Sequence, residues 1–257
     1  MSEELSIEGR ARMDVLRAAV SAGPTGAHIA PSLSLIEISL AVLDSKKDGD
    51  SVILSKGHGA LGYYAAMHQL GIMSDDEFQS FEQDGGLFPG QPCRNDNDKI
   101  EYSGGSLGMG LSYAVGVATA KKAKGNVFVI LGDGELNEGS NWESAQFASR
   151  LGLSNLIAVV DNNGLQSDGY CEEVMGVDYR KVWGAFGWDV FECDGHSVEQ
   201  LKKVIGSARS RPTVIFANTI KGKGVSFMEQ NNEWHHHTLN EEQFNNAAEE
   251  VRSHYGE

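Results

Sequence analysis

The sequence NVFVIL at residues 126–131 runs directly into GDGE at residues 132–135, and NLIAVVD at residues 155–161 runs into NNGL at residues 162–165. Both apolar runs are short and rich in β-branched residues, which favours buried strands over helices. One helical pattern lies between them, as in a strand–helix–strand crossover between parallel strands. This stretch therefore predicts a parallel sheet with the two polar loops at the same edge.

The rest of the chain repeats the alternation of strands and helices. Further buried strands are predicted at residues 51–55, 188–192 and 213–218, and helices at residues 7–21, 33–43, 60–70, 107–122, 141–151, 177–186, 198–210 and 240–254. This alternation is typical of an α/β fold, doubly wound, with a mostly parallel sheet and helices on both faces. We predict a single domain over residues 1–257, with a helical N-terminal segment and a short C-terminal helix.

Composition excludes several functional classes. The 257 residues include 36 acidic and 21 basic side chains, for a net charge of −15, and no basic stripe suited to nucleic acid is present. No apolar run approaches the roughly 20 residues of a membrane helix, and the N-terminus lacks the apolar run of a signal peptide. Cys93, Cys171 and Cys193 are scattered, which favours neither disulfides nor a thiolate metal site. We expect a cytoplasmic protein that binds neither nucleic acid nor membranes.

The two polar loops are candidates for a ligand site, because ligands of open parallel sheets bind beyond the carboxyl ends of the strands. Asp133 offers a carboxylate and Asn163 a carboxamide oxygen. With a main-chain carbonyl, these hard oxygen ligands suit an octahedral Mg²⁺ that phosphate oxygens complete. The glycines allow close approach of the backbone to the same phosphates. Each turn alone is common, so the hypothesis depends on the pair at this spacing.

The pair resembles the signature of thiamine-diphosphate enzymes, in which G-D-G is followed about thirty residues later by N-N or N-G. The resemblance implies that Asp133, Asn163 and the main-chain carbonyl of Leu165 bind a divalent metal, Mg²⁺ or another such as Ca²⁺ or Mn²⁺. It also implies that Gly134 and Asn163 contact the diphosphate, and it places Glu135 in the same cofactor site.

Three further segments are similar to the transketolase family. They are SKGHG at residues 55–59, GSLG at residues 105–108 and KGKGVSFME at residues 221–229, the last very close to the corresponding segment of split transketolases. The chain is therefore identified as a member of the transketolase family, resembling the N-terminal subunit of a split transketolase. That resemblance also specifies the fold as the thiamine diphosphate-binding fold of a PP-type domain.

The same segments imply cofactor contacts. By resemblance, His58 contacts the diphosphate, and Gly105, Ser106 and Leu107 belong to the cofactor site, with Leu107 packing on the cofactor rings.

Catalytic residues are also implied by resemblance. His28 lies in HIAPSLS and His235 follows Trp234, and both correspond to histidines that orient substrate hydroxyls and shuttle protons. His235 is assigned to the cofactor site as well. Glu138 corresponds to a glutamate in a proton relay that links two cofactor sites, and it also fits an acid favoured near the start of a helix.

The resemblance implies an enzyme that uses thiamine diphosphate to transfer a two-carbon ketol unit from a ketose phosphate to an aldose acceptor. It covers less than half of a full-length transketolase, without the domain that binds the aminopyrimidine ring. We therefore expect a separately encoded C-terminal subunit that carries the pyrimidine-binding domain, an α2β2 heterotetramer, and no activity of this chain alone.

Three departures from the family pattern leave the substrate open. Gln91 replaces a histidine, Met109 replaces a glutamine, and residues 29–31 replace P-G-G beside His28. An alternative is thus a split transketolase-like enzyme of a specialised pathway that acts on modified or sulfonated sugars.

Two more functions fit part of the sequence. One is the α subunit of a 2-oxo-acid dehydrogenase, against which the motifs at residues 55–59 and 221–229 count. The second is a non-catalytic regulatory subunit, against which the complete metal and phosphate set counts, because a scaffold does not need Asp133 and Asn163.

Overall fold

The computed structural model describes residues 4–94, 99–122, 124–207 and 209–256. The strands, in chain order, are β1 (Ser51–Leu54), β2 (Val127–Gly132), β3 (Leu156–Asn162), β4 (Leu165–Gln166), β5 (Gly169–Tyr170), β6 (Asp189–Asp194) and β7 (Thr213–Asn218). Five of them form a parallel sheet in the order β1-β2-β3-β7-β6, while β4 and β5 form a small antiparallel hairpin. The predicted strands of the main sheet are all confirmed to within two residues at each end.

The α-helices are α1 (Ile7–Ser21), α2 (Ile29–Leu33), α3 (Ile36–Ser45), α4 (Ala60–Gln69), α5 (Asp75–Gln79), α6 (Met109–Lys121), α7 (Gly139–Leu151), α8 (Cys171–Val174), α9 (Tyr179–Ala185), α10 (Val198–Ile205) and α11 (Glu241–Tyr255). Among the residues described, no helix has the length and apolarity needed to cross a bilayer.

The sheet separates two apolar cores. Phe128 and Ile130 of β2 pack into the larger core with α1 to α4, α10 and α11. Their neighbours Val127, Val129 and Leu131 point to the other face and pack with α6, α7 and α9. This alternation follows from the period of two in a strand, and it buries both faces of the sheet. The predicted doubly wound α/β fold is confirmed.

Several predicted helices differ from the structure in extent. The helix predicted over residues 33–43 corresponds to α3, which begins later, at Ile36, because the chain turns between α2 and α3. In this turn the Ser34 hydroxyl lies within hydrogen-bond distance of the Pro31 carbonyl (3.1 Å) and the Asp161 carboxylate (2.7 Å). The helix predicted from residue 107 begins at Met109, since Gly108 has a left-handed φ of 81°. The helix predicted over residues 198–210 ends at Ile205, and residue 208 lies outside the described residues.

A buried ion pair ties the N-terminal helix to the segment that follows β7. Arg12 of α1 and Glu37 of α3 are both buried, with Nη1 and Oε1 2.6 Å apart. Arg12 Nε also donates to the Lys223 carbonyl at 3.0 Å, and His196 Nδ1 lies 3.0 Å from Glu37 Oε2. The Ile220 amide donates to His196 Nε2 at 2.8 Å, so the loop that leaves β7 is held at two points.

Candidate functional site

The two polar loops meet through the side chain of Asp133. β2 and β3 are adjacent and parallel, so their carboxyl ends lie side by side. Asp133 Oδ1 accepts a hydrogen bond from the Gly134 amide at 2.8 Å, and Oδ2 accepts one from the Gly164 amide at 2.5 Å. Asn163 Oδ1 accepts from the Leu165 amide at 3.1 Å, which shapes the second loop. The predicted convergence of the two loops on one sheet edge is confirmed.

The charge of Asp133 is held by backbone amides rather than by a cationic side chain. Burial, and then repulsion from Asp161, raise the pKa of Asp133 to about 6, against the lowering effect of the two N–H donors. A buried carboxylate beside another carboxylate is costly unless positive charge is supplied. A bound cation at Asp133 would remove this cost.

The donor set at Asp133 suits a cation that needs few protein ligands. Within the described part of the chain, no group of three or more His, Cys, Asp or Glu side chains is placed to hold a metal ion. The predicted set has one carboxylate, one amide oxygen and one carbonyl, from Asp133, Asn163 and Leu165. This chemistry fits Mg²⁺, which keeps the rest of its octahedral shell for phosphate oxygens and water.

Glu135 joins the G-D-G turn to two other segments of the site. Its Oε1 accepts hydrogen bonds from the Ser55 hydroxyl and, at 2.8 Å, from the Gly108 amide, while Oε2 accepts from the Gly132 amide at 3.1 Å. Burial raises the pKa of Glu135, and the three donors favour the ionised form. The carboxylate therefore holds the end of β1 and the start of α6 against the end of β2.

A pocket of about 270 Å³ lies at this edge of the sheet. The predicted residues that line it are His58, Leu107, Asp133, Gly134, Glu135, Glu138, Asn163, Leu165 and His235. These residues come from five separate segments, and their assembly at one place supports the sequence-based site. Gly105 and Ser106 are exposed beside the pocket and are absent from its lining.

Lys56 and Asp161 form a buried ion pair under the pocket that the sequence motifs do not reveal. Lys56 Nζ bonds to Asp161 Oδ2 and also donates to the Pro31 carbonyl at 3.0 Å. The Thr219 hydroxyl bonds to Asp161 Oδ1. Although burial opposes it, Lys56 lowers the pKa of Asp161. The signal in the sequence was a lysine and an aspartate at the ends of two predicted buried strands, where ionised residues need partners.

Four histidine rings cluster together, of which His58 and His235 line the pocket while His28 and His236 are absent from its lining. The centroid of the His28 ring lies 6.1 Å from that of His58, 5.5 Å from that of His235 and 4.6 Å from that of His236. The centroids of His58 and His235 are 5.3 Å apart. The structure thus brings together the three predicted histidines. His236 was not predicted, although it follows His235 in a run of three.

The three predicted histidines are neutral at physiological pH. Burial, then His236 and Lys56, lower the pKa of His28 to about 4. Burial, then Lys221, lower the pKa of His235 to about 3, and burial with Lys56 holds the pKa of His58 well below its ordinary value. Neutral imidazoles act through hydrogen bonds, each with one donor and one acceptor nitrogen.

Lys221 is a second lysine of the site, to which the sequence motifs assign no role. Its side chain is buried, lines the pocket and donates to Asn232 Oδ1 at 2.8 Å and to His235 Nδ1 at 3.0 Å. Burial and then repulsion from Lys56 lower the pKa of Lys221 to about 8. Unlike Lys56, Lys221 makes no ion pair among the described residues, so its ammonium group is available to phosphate oxygens.

Residues that depart from the family pattern also lie close to the site. Gln91 Oε1 is buried without a hydrogen-bond partner among the described residues and occupies the space that a Cβ on Gly57 would need. Met109, the first residue of α6, is exposed.

Glu138 is exposed at the N-cap of α7, where the helix dipole favours an acid, and its Cβ fills the space beside Gly108.

Comparisons with known proteins identify a family model and several relatives that this chain resembles. Residues 43–256 match the family model described as transketolase, thiamine diphosphate binding domain. An apulose-4-phosphate transketolase subunit of Actinobacillus succinogenes is 37% identical over 245 residues, which cover 89% of each chain. The 6-deoxy-6-sulfo-D-fructose transketolase subunit SqwG of Clostridium sp. is 35% identical over 241 residues, 87% of this chain and 88% of that one. A transketolase structure from Leishmania mexicana matches with a TM-score of 0.80 and 27% identity, covering 96% of this chain and 41% of that one.

The packing of α6 on the end of β1 generates a first prediction. A Cβ on Gly110 would lie 2.4 Å from Ser55 Cβ and 2.9 Å from Ser55 Cα, so Gly110→Ala forces the helix away from β1. We expect a loss of about 1–3 kcal/mol in the free energy of unfolding, measured with denaturant on the isolated chain. Gly116→Ala is the matched control in the same helix, because no described atom lies within 4 Å of its Cβ position. It is expected to stabilise the chain by about 0.5–1 kcal/mol, and equal effects of the two variants would refute the packing argument.

Proposed function

We propose that this chain is the N-terminal subunit of a two-component transketolase. The premise is that the chain belongs to the transketolase family through its thiamine diphosphate-binding domain. The reaction is the transfer of a two-carbon ketol unit from a ketose phosphate to an aldose acceptor. The observation that carries the proposal is the junction of the two polar loops through Asp133, in one pocket with His58, Leu107 and His235.

Different residues of the pocket bind different parts of the cofactor. Asp133, Asn163 and the Leu165 carbonyl hold the divalent cation, whose charge compensates the buried carboxylate. Lys221 and the neutral His58 offer donors to the diphosphate. When bound, thiamine diphosphate supplies the carbanion nucleophile and electron sink that cleavage beside a ketone requires.

The histidine cluster handles the substrate. His28 and His235 are neutral and adjacent, so they hydrogen-bond to substrate hydroxyls without adding charge to the site. A neutral imidazole accepts a proton through one nitrogen and donates through the other, which suits proton transfer at the oxygens of the sugar. We assign these two residues to orientation and proton transfer, and Glu138 to a proton relay between cofactor sites.

The donor is either an ordinary ketose phosphate or a modified sugar. Two relatives that match almost their whole length are named for apulose 4-phosphate and 6-deoxy-6-sulfo-D-fructose. Gln91 favours the specialised alternative, because its carboxamide donates and accepts hydrogen bonds but carries no positive charge. Gln91 Oε1 is buried and unpaired within the described chain, so it is an unused acceptor close to Gly57 and Gly105.

A separate partner completes the enzyme in this proposal. Relatives of nearly equal length are named as subunits, which supports a split architecture. The surface for the partner is the outer face of α6 and α7, defined by Met109 (49% exposed), Tyr113 (38%), Phe147 (56%) and Leu151 (42%). A helix such as α6 that is apolar on all sides is normally covered. We propose that the partner's pyrimidine-binding domain covers it in a cytoplasmic α2β2 heterotetramer.

The proposed reaction has a direct test. The chain, reconstituted with its partner subunit, thiamine diphosphate and Mg²⁺, is expected to transfer ketol units from at least one donor in a panel of xylulose 5-phosphate, apulose 4-phosphate and 6-deoxy-6-sulfofructose. Neither protein is expected to turn over without the other. Decarboxylation of a 2-oxo acid by the pair would favour the dehydrogenase alternative, and no transfer from any donor would favour a regulatory subunit.

The metal site has its own test. Asp133→Ala removes the only carboxylate of the proposed metal ligands, so we expect the assembled enzyme to lose metal-dependent binding of thiamine diphosphate in titration calorimetry. Asp178→Ala is the control, because Asp178 is an exposed aspartate paired with Lys181 at 2.9 Å outside the site. Retained cofactor affinity in Asp133→Ala, with Mg²⁺ present, would show that the metal lies elsewhere.

The proposed partner surface is tested by placing a charged side chain on it. Phe147→Lys places a cation in the middle of the apolar face, and we expect light scattering of the mixed subunits to show loss of the complex while the chain stays folded. Ile72→Lys is the matched control, since Ile72 is an equally apolar residue that is 39% exposed on another part of the chain. Complex formation by Phe147→Lys at the same affinity as the native chain rules this face out.

A further inference from the structure

We propose that Lys221 is a positioning residue that holds His235 as a neutral hydrogen-bond donor, with the ring proton on Nε2. The structural part of this inference concerns two side chains of this chain. Its catalytic part rests on the proposed transketolase function.

The contacts around Lys221 form a continuous chain. Asn232 Nδ2 donates to the Gln166 carbonyl at 2.9 Å, which leaves Asn232 Oδ1 as an acceptor. Lys221 Nζ donates to that oxygen at 2.8 Å and to His235 Nδ1 at 3.0 Å. The Asn232 amide therefore fixes the lysine, and the lysine fixes one nitrogen of the imidazole.

The direction of these bonds decides the tautomer of His235. An ammonium group only donates hydrogen bonds, so Nδ1 of His235 is the acceptor and carries no proton. A neutral imidazole has one proton, which then lies on Nε2. In the part of the chain that the structure describes, Nε2 of His235 makes no hydrogen bond to protein, so this N–H group is available in the pocket that His235 lines.

The electrostatic surroundings keep this state stable. The groups that face His235 are Lys221, Lys56 and the rings of His28, His58 and His236. Burial comes first and Lys221 second among the causes that lower the pKa of His235 to about 3. None of these neighbours is an acid, so none of them favours a second proton on the ring.

His28 and His235 therefore have different roles in the proposed reaction. Of the two histidines assigned to proton transfer, His235 is the donor: its Nε2–H group bonds to a substrate oxygen on which negative charge develops. Preorganised donors of this kind stabilise transition states because they need no reorganisation during reaction. Proton removal then falls to His28, whose ring is not bound by the lysine.

The test begins with the tautomer itself. In the full-length chain labelled with ¹⁵N-histidine, and with the His235 signals identified by their loss in His235→Asn, we expect an unprotonated Nδ1 and a protonated Nε2 at neutral pH. In Lys221→Met the ring is expected to take up a second proton at a higher pH than in the native chain, and part of the population should move its proton to Nδ1. These signals do not depend on turnover, so they are read even if the proposed function fails.

Kinetics supply the second readout. In the reconstituted enzyme, we expect Lys221→Met to lower kcat by about 10- to 100-fold through misplacement of the donor. Ethylamine should restore part of the activity of Lys221→Ala, since a free ammonium ion can refill the space. Lys223→Met is the matched control, because Lys223 lies on the same loop and pairs at 3.5 Å with Glu229. A protonated Nδ1 in the native chain, or equal effects of Lys221→Met and Lys223→Met, would overturn the proposal.

Discussion

The buried ion pair between Lys56 and Asp161 is the interaction on which the site depends. It joins the ends of β1 and β3, and the hydroxyls of Ser34 and Thr219 bring in the turn between α2 and α3 and the segment after β7. Loss of either partner would leave an unpaired charge in the interior, which costs far more than the pair contributes. The ion pair therefore fixes which segments meet beneath the pocket.

The strands and the metal loops are predictable from the sequence because both are encoded locally. Asp133 and Asn163 each follow a β-branched run directly, so their position at the sheet edge follows from the strand pattern alone. Lys56, Asp161 and Lys221 are not predicted as functional, since no local period marks them and the ion pair of Lys56 spans 105 residues of sequence. The same limit explains why the helix predicted from residue 33 begins at Ile36, since the Ser34 hydroxyl bonds to the distant Asp161 in the turn before it.

Electrostatics give the pocket two halves of opposite character. Asp133 accepts hydrogen bonds from two backbone amides, but burial and then the nearby Asp161 still raise its pKa to about 6. Lys221, which has no carboxylate partner among the described residues, supplies positive charge in the same pocket. Burial first, and then charged neighbours that include Lys56 and Lys221, lower the pKa values of His28 and His235. A divalent cation followed by a diphosphate presents the opposite order of charges, plus and then minus. In the proposed complex the cation would lie at Asp133 and the diphosphate near Lys221, which would leave the neutral histidines for an uncharged part of the substrate.

The cofactor pocket and the proposed partner surface share one structural element, the turn at Gly108. Its amide donates to Glu135 in the pocket, while its left-handed backbone starts α6, whose outer face carries Met109 and Tyr113. Any shift of that turn moves Leu107 on one side and the apolar face on the other. In the proposed assembly the cofactor and the partner act on the same turn. Any change that the cofactor causes in the affinity for the partner is then matched by an equal change that the partner causes in the affinity for the cofactor.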